Sequence, residues 1–206
     1  MHIWELLIDY IFPPSPEELL VRKATTEDIM KEYCPSLKSD VYFFSNYQRK
    51  LIKASVTTAK FTHNKKAVLL LSTILKTWLE EHTKCDTLLI PIPLHSKRER
   101  ERGYNQVRRV IEEVKHPQII TSNNVLKRNR HTVPQTSLEK NERVKNLTDA
   151  FSVNTKNLAL ALSPETKRVI ICDDVCTTGS TLREARKVLA PHLPKHCDLI
   201  CLAWAH

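Results

Sequence analysis

Apolar residues recur along this chain in two patterns, continuous runs and stripes with helical spacing. The continuous runs are typical of strands buried on both faces of a sheet, and they occupy residues 86–95, 167–175 and 197–205. The helical stripes lie before and between these runs, in residues 65–82, 104–115 and 180–193. Strands that alternate with helices predict an α/β fold with a mainly parallel sheet flanked by helices.

The N-terminus has a pattern of its own. Residues 1–12 have amphipathic helical spacing that Pro13 and Pro14 end, and the predicted apolar stripe consists of Ile3, Trp4, Leu7, Ile8 and Ile11. Glu5 and Asp9 interrupt this stretch, no basic region precedes it, and it is too short to span a bilayer. Because no other segment resembles a membrane span, we expect a cytoplasmic protein with no membrane partner.

Residues 169–181, VIICDDVCTTGST, lead from a predicted strand into a turn rich in hydroxyl groups. Gly179 in this turn is one of only 2 glycines in 206 residues. A helix that starts near Ser180 would direct unpaired N–H groups and its positive dipole end toward an anion, and glycine would let the backbone close around that anion. The turn therefore predicts a phosphate cradle made of Cys176, Thr177, Thr178, Gly179, Ser180 and Thr181.

Asp173 and Asp174 directly precede this turn and suit another part of the ligand. Carboxylates can bind the paired hydroxyls of a ribose, or a magnesium ion that bridges them, so the spacing indicates a sugar phosphate whose 5′-phosphate lies in the turn. Successive side chains of a strand point to opposite faces, so both acids can serve one ligand only if the strand ends there. The alternative is a surface Asp-Asp turn that caps a helix, and the full pattern favours the ligand site.

This stretch resembles the 5-phosphoribosyl 1-diphosphate (PRPP) signature of type I phosphoribosyltransferases. Two further segments are similar to motifs of the ComF family, which are competence-associated proteins of this type. They are residues 91–106 (PIPLHSKRERERGYNQ) and residues 128–151, where the family pattern falls on Arg128, Thr132, Gln135, Arg143, Asn146 and Phe151. With a weaker match at residues 46–52, the resemblance implies a type I phosphoribosyltransferase fold for residues 46–206. Residues 1–45 would form a small helical or hood segment.

The resemblance also implies roles for particular residues. The loop after PIPL would bind the pyrophosphate group of PRPP through His95, Ser96, Lys97, Arg98 and Arg102. Arg102 is the strongest of these candidates and joins Asp173 and Asp174 as a predicted catalytic residue. A flexible lid would contain Arg128, Arg130, Thr132 and Gln135. Magnesium, bound at Asp173 and Asp174 directly or indirectly, is the expected cofactor, while His95 and His131 remain alternatives for a general base.

The positive charge of the chain is concentrated beside these candidate loops. The net charge is +9, and residues 97–109 and 127–145 each contain six basic residues against two acidic ones. These windows overlap two segments, 96–103 and 127–135, that we predict to be polar, basic loops. Such local excess favours a polyanion such as a diphosphate over a uniformly basic surface.

The six cysteines do not form a metal-binding pattern. The sequence has no CxxC pair, and Cys197 and Cys201 would lie roughly 13 Å apart on a strand, too far for two ligands of one zinc ion. Many ComF relatives begin with a four-cysteine zinc ribbon, but only Cys34 precedes residue 85 here. We therefore expect small buried thiols in a reducing compartment and no zinc.

Three functions fit these features. The first is a magnesium-dependent phosphoribosyltransferase with an unknown acceptor, such as a nucleobase or an amine, held by aromatic residues that could equally belong to the core (Tyr42, Phe43, Phe44 and Tyr47). The second is a competence protein that handles single-stranded DNA through its basic loops, although basic and aromatic residues do not interleave in the sequence. The third is a regulator that binds PRPP without turnover, which fold and site alone do not separate from the first.

Overall fold

The computed structural model describes residues 9–62, 64–129 and 150–206 of the chain. Its central sheet contains six strands, which are β1 (Ser36–Lys38), β2 (Val41–Ser45), β3 (Thr87–Pro91), β4 (Ile119–Thr121), β7 (Arg168–Val175) and β8 (Asp198–Ala205). A separate antiparallel pair consists of β5 (Leu126–Arg128) and β6 (Phe151–Val153). The strand order of the sheet is β1-β2-β8-β7-β3-β4, and every pairing except β1 with β2 is parallel. This topology confirms the predicted mainly parallel α/β fold.

Helices cover both faces of this sheet. In chain order they are α1 (Pro16–Lys23), α2 (Thr26–Met30), α3 (Lys50–Phe61), α4 (Lys65–His82), α5 (Ser96–Arg102), α6 (Gln106–Glu113), α7 (Thr155–Ala161) and α8 (Ser180–Leu189). Buried residues of α1 to α4 and of α6 form a core on one face, and buried residues of α7, α8 and the β5–β6 pair form a core on the other. The protein is thus a three-layer structure with the sheet in the middle.

Strand β7 supplies side chains to both cores. Val169 and Ile171 belong to the core beneath α7 and α8, while Ile170 and Cys172 belong to the core beneath α3, α4 and α6. All four are fully buried. This two-sided burial explains why β7 has a continuous apolar run rather than an alternating one.

Residues 36–45 contribute β1 and β2 to the main sheet, and β2 pairs directly with β8. The proposed boundary at residue 45 therefore lies at the end of a strand of that sheet. Phe43 and Phe44 are buried, and the Phe44 ring packs edge-on against Trp204 with centroids 5.8 Å apart. Of the two roles considered for these two phenylalanines, the structure supports the core role.

Two segments that we predicted as loops contain regular structure. Residues 96–102 form α5, so the loop prediction was wrong there. The His95 ring accepts the Lys97 backbone N–H at 3.2 Å at the start of this helix, and Gly103 ends it with a φ of 76°. No residue of α5 is buried, so it has no apolar stripe that a sequence pattern could reveal. Similarly, Lys127 and Arg128 belong to β5, where Arg128 is paired with Phe151 of β6.

Most of the predicted N-terminal helix lies outside the described residues. Ile11, which we placed on its apolar stripe, is 64% exposed. Asp9 instead forms an ion pair with Arg22 of α1 at 2.6 Å. Among the helices of the described residues, none has both the length and the apolar character that crossing a bilayer requires.

The six cysteines are free thiols. Cys172, Cys176 and Cys201 are buried as predicted, whereas Cys34 is exposed just before β1. The general expectation of buried thiols therefore holds for these three cysteines, is met only in part by Cys85 and Cys197, which are half-buried, and is wrong for Cys34.

Replacing Trp204 by alanine should lower the free energy of unfolding by about 3–5 kcal/mol. Trp204 is 2% exposed, packs against Phe44, and donates its indole N–H to the Leu71 carbonyl oxygen at 3.0 Å. Urea denaturation followed by circular dichroism would measure the loss. Leu160→Ala, at a side chain that is 78% exposed, is the control and should change stability by less than about 0.5 kcal/mol. Equal effects of the two variants would contradict this assignment of the core.

Candidate functional site

The predicted site residues gather at the edge of the sheet where β3 and β7 end. The Ile92 N–H, just after β3, donates to the Cys172 carbonyl oxygen of β7 at 2.8 Å, so the segments that follow the two strands start side by side. The Cys176 N–H, just after β7, donates to the Ala205 carbonyl oxygen of β8 at 2.9 Å. The carboxyl ends of strands are where open α/β sheets bind their ligands.

The turn between β7 and α8 has the features expected of an anion cradle. Gly179 is the residue before α8 and has a φ of 73°, in the left-handed region that favours glycine. Gly179 has no side chain that could cap this helix, and the Ser180 N–H donates to the Thr178 hydroxyl oxygen at 3.4 Å, so the start of α8 faces the turn. The hydroxyl oxygens of Thr178 and Ser180 lie 2.8 Å apart, so one of these hydroxyls donates to the other within the turn.

Arg183 also belongs to this turn, although the sequence analysis did not identify it. Its Nη2 donates to the Thr178 carbonyl oxygen at 2.6 Å. A Cβ atom on Gly179 would lie 2.7 Å from Arg183 Nη1, so the glycine also leaves room for this guanidinium. The sequence feature that could have identified Arg183 is its spacing of four residues from Gly179, which puts the two positions one helical turn apart.

Cys176 forms a wall of the turn and does not have the properties of a nucleophile. Its side chain is buried, and burial, with a contribution from the charge of Asp173, raises the pKa of the thiol to about 11. The thiol is therefore neutral near pH 7 and behaves as a small apolar group.

The two acids lie on opposite faces of β7, because the strand does not end at Asp173. It continues to Val175, with Asp173 paired to Ala203 and Val175 paired to Ala205. Asp174 faces α3 and α6, where its Oδ2 receives Lys60 Nζ at 2.7 Å and Gln106 Nε2 at 2.6 Å. Asp173 lies on the other face, the same one that α8 and the β5–β6 pair cover. The condition for both acids to serve one ligand is therefore not met.

These environments shift the two carboxyl pKa values in opposite directions. Burial raises the pKa of Asp173, and the negative charge of Asp174 raises it further. Burial alone would also raise the pKa of Asp174, but the charge and hydrogen bond of Lys60, with further hydrogen bonds from Val175 and Gln106, outweigh it and lower that pKa. Asp174 is thus a compensated anion, and Asp173 is the acid whose charge the protein leaves less well compensated.

The charge of Arg128 acts on Asp173, and the charge of Arg98 acts on Arg128. Burial lowers the pKa of the Arg128 guanidinium, the charge of Asp173 opposes this shift, and the charge of Arg98 adds to it. Arg128 of β5, Arg98 of α5 and Asp173 of β7 are therefore close enough for their charges to interact. Arg128 also lies over the Phe151 ring, 5.5 Å from its centroid. The other predicted lid residues, Arg130, Thr132 and Gln135, and the alternative base His131 lie outside the described residues.

The five predicted pyrophosphate-binding residues are divided between the two ends of α5. His95 caps the helix, and Ser96, Lys97 and Arg98 form its first turn. Arg102 lies at its last turn, where Nη1 donates to Gln106 Oε1 at 3.3 Å and the guanidinium lies 5.2 Å from the centroid of the Phe61 ring. Because Gln106 also contacts Asp174, it connects the basic helix to the acidic strand, a role that the sequence analysis missed.

A cavity of about 510 Å³ adjoins the first turn of α5. It includes Ser96 and Arg128, and its other polar lining residues are Glu99, Asn105, Arg108, Asn123, Asn124, Lys127, Asn129, Asn154 and Asn157. The asparagines come from separate segments of the chain, so no local motif could have revealed this concentration of amides. The cavity lies between α5, the segment after β4 and the β5–β6 pair.

The expected magnesium ion would be held through Asp173 rather than through both acids. Asp174 Oδ2 already receives two donors, and its Oδ1 receives the Val175 N–H at 2.6 Å. Proteins usually hold Mg²⁺ through one or two carboxylates together with substrate phosphates, and Asp173 with a bound diphosphate would supply that set of oxygens. In the part of the chain that the structure describes, no group of three or more histidine, cysteine, aspartate or glutamate side chains is placed to hold a metal ion.

Comparison with known proteins agrees with this geometry. Residues 107–206 match the family model described as a phosphoribosyl transferase domain. Together with the mainly parallel sheet flanked by helices, this match establishes the type I phosphoribosyltransferase fold that the motifs predicted.

Two curated relatives indicate which proteins with this fold the chain resembles. Competence protein F of Haemophilus influenzae is 39% identical over 107 residues, which cover 52% of this chain and 45% of that protein. Competence protein ComFC of Bacillus subtilis is 34% identical over 121 residues, which cover 57% of this chain and 42% of that protein. These matches support the predicted resemblance to the ComF family, and the part that matches spans less than half the length of each relative.

Asp173→Asn and Asp174→Asn should change stability in opposite directions at neutral pH. The first variant removes a carboxylate whose charged form is disfavoured by burial and by Asp174, so the free energy of unfolding should rise. The second leaves the Lys60 ammonium without its partner, so the free energy of unfolding should fall by about 1–3 kcal/mol. Urea denaturation of the two variants and the wild-type protein measures both changes.

The pH dependence of the two effects should also differ. Asp173 has a folded-state pKa above its unfolded value, so it lowers stability as the pH rises through that interval. The gain from Asp173→Asn should therefore be smaller at about pH 5 than at about pH 8. Asp174 has a lowered folded-state pKa, so its contribution is present above the ordinary carboxyl pKa of about 4 and is lost as the pH falls. A stabilising Asp174→Asn variant at pH 8 would contradict this assignment.

Proposed function

We propose that this protein binds PRPP and transfers its phosphoribosyl group to an acceptor such as a nucleobase or an amine. The observation that carries the proposal is the position of Asp173 on the face of β7 that α8 and its Gly179 turn cover. An acid for sugar hydroxyls and a cradle for a phosphate thus meet on one side of the sheet. Arg128 interacts electrostatically with Asp173, and Arg98 interacts with Arg128. These two arginines would supply positive charge for a diphosphate.

The proposed reaction breaks the bond between C1 of the ribose and the pyrophosphate oxygen. The bonding electron pair leaves with pyrophosphate, positive charge builds on the sugar ring as in glycoside cleavage, and a lone pair of the acceptor forms the new bond at C1. Arg98 and Arg128 would stabilise the leaving group electrostatically. Asp173 would orient the ribose through its hydroxyls, and the Gly179 turn would bind the 5′-phosphate. A magnesium ion bound with the diphosphate would neutralise part of its negative charge.

Calorimetry should detect PRPP binding to the wild-type protein in the presence of Mg²⁺ and weaker binding without it. Asp173→Asn should weaken binding by at least about tenfold, since it removes a charged hydrogen-bond partner of the sugar. Asp198→Asn is the matched control, because it makes the same change at the start of β8, at the opposite edge of the sheet. A folded wild-type protein that does not bind PRPP would refute the proposal.

An acceptor panel then separates the enzyme from a regulator that binds PRPP without turnover. Release of pyrophosphate that depends on one acceptor supports the transferase. Retained PRPP binding with no pyrophosphate release across nucleobases and amines favours the regulator.

One observation favours a second candidate function, which is binding of single-stranded DNA by a competence protein. Basic and aromatic residues do not interleave in the sequence, but the fold brings them together. Arg102 lies over Phe61, which is 64% exposed, and Arg109 lies over Tyr104 at 4.9 Å from the ring centroid. Aromatic rings beside arginines are the surface on which unpaired bases stack, while the cations contact the backbone phosphates.

Phe61→Ala should weaken the binding of an oligothymidine by about tenfold, because one stacked base contributes about 1–3 kcal/mol. Fluorescence anisotropy at several salt concentrations measures the affinity, and the affinity should fall as salt rises. Leu160→Ala removes another exposed apolar side chain, on α7, and should have no effect. Equal affinity of Phe61→Ala and the wild-type protein would remove this surface from consideration.

A further inference from the structure

The carboxylate of Asp174 accepts donors from three parts of the chain. Lys60 at the end of α3 and Gln106 at the start of α6 contact Oδ2 at 2.7 Å and 2.6 Å, and the Val175 N–H contacts Oδ1 at 2.6 Å. One of these donors carries a full positive charge. The sequence analysis assigned Asp174 to a ligand or a metal ion, so this engagement within the protein needs an explanation.

The ammonium group of Lys60 is close enough to both acids to affect their charges, in addition to its packing contacts. Its side chain is 24% exposed and that of Asp174 is 14% exposed, so water screens their attraction less than it screens a surface ion pair. The charge of Lys60 also acts on Asp173, whose pKa it lowers against the larger effect of burial. A single ammonium group therefore influences both acids from the face of β7 opposite Asp173.

We propose that Lys60 is an internal counter-ion that keeps divalent metal ions off Asp174, so that Mg²⁺ enters the site only together with the phosphates of the ligand. The part of this inference that concerns ligand phosphates rests on the proposed function. A hard divalent cation needs carboxylate oxygens with available lone pairs and loses its own water reluctantly. The Lys60 ammonium occupies one oxygen of Asp174 and repels a second cation from the other.

Gln106 extends this role to the basic helix α5. Its Nε2 donates to Asp174 Oδ2, and its Oε1 accepts from Arg102 at 3.3 Å. One chain of contacts thus runs from Lys60 through Asp174 and Gln106 to Arg102. Arg102 is one of the residues that we predicted to bind pyrophosphate. A metal ion bound to Asp174 Oδ2 would compete with Lys60 and Gln106 for that oxygen and so disturb the position of Arg102.

Manganese can be used as the probe, because free Mn²⁺ is measured by electron paramagnetic resonance in the absence of PRPP. The wild-type protein should bind Mn²⁺ weakly. Lys60→Gln removes the charge but keeps a hydrogen-bond donor, and it should tighten Mn²⁺ binding by at least about tenfold, since it leaves the charge of Asp174 uncompensated. Lys60→Arg keeps the charge and should behave like the wild-type protein.

The double variant Lys60→Gln/Asp174→Asn locates the effect, because it should lose the gain in Mn²⁺ affinity. Lys60→Met is the second single variant, and circular dichroism with tryptophan fluorescence establishes which proteins are folded. Folded Lys60→Gln or Lys60→Met with wild-type Mn²⁺ affinity, or a gain that persists in the double variant, would overturn the role of Lys60 as a counter-ion.

This experiment is independent of the proposed function. If the Lys60 variants gain Mn²⁺ affinity through Asp174 but the wild-type protein does not bind PRPP, the counter-ion role stands and the PRPP proposal fails. If the wild-type protein binds PRPP with Mg²⁺ and the Lys60 variants gain no Mn²⁺ affinity, the PRPP proposal stands and the counter-ion role fails.

Discussion

The architecture of the site depends on the parallel pairing of β7 between β3 and β8. Both faces of β7 are buried, so its position is fixed by two cores at once. Because its neighbours run in the same direction, the segments that follow β3 and β7 emerge at one edge, joined by the hydrogen bond from Ile92 to Cys172. The basic helix α5 and the Gly179 turn before α8 are brought together by this pairing, although about 75 residues separate them in the chain.

The same strand gives two adjacent acids different properties. Asp173 and Asp174 are neighbours in sequence, but the pleat of β7 directs them into different layers, one toward Arg128 and the other toward Lys60. Desolvation acts on both, and only Asp174 receives enough compensation to keep its pKa low. The charge of Asp174 therefore helps to keep the charged form of Asp173 unfavourable. A buried acid with little compensation lowers the stability of the fold, a cost that is common at functional sites.

The sequence could predict those parts of the structure that leave a local pattern. The continuous apolar runs predicted the central strands, and Gly179 with its hydroxyl-rich neighbours predicted the turn, because burial and left-handed backbone both restrict residue type at single positions. Helix α5 leaves no apolar pattern because it buries nothing, and it was missed. Lys60 and Gln106 act through contacts that only the fold creates, and an exposed lysine on a helix has no sequence feature that distinguishes it from one paired with Asp174.

The use of glycine has a further consequence for the unfolded chain. Gly103 and Gly179, the 2 glycines in 206 residues, both have positive φ values, whereas average usage of about 7% would put roughly 14 glycines in a chain of this length. Glycine adds more conformational freedom to an unfolded chain than any other residue. A chain that keeps it only where the native backbone requires it loses less entropy on folding. The low glycine content therefore stabilises this protein by lowering the conformational entropy of its unfolded state.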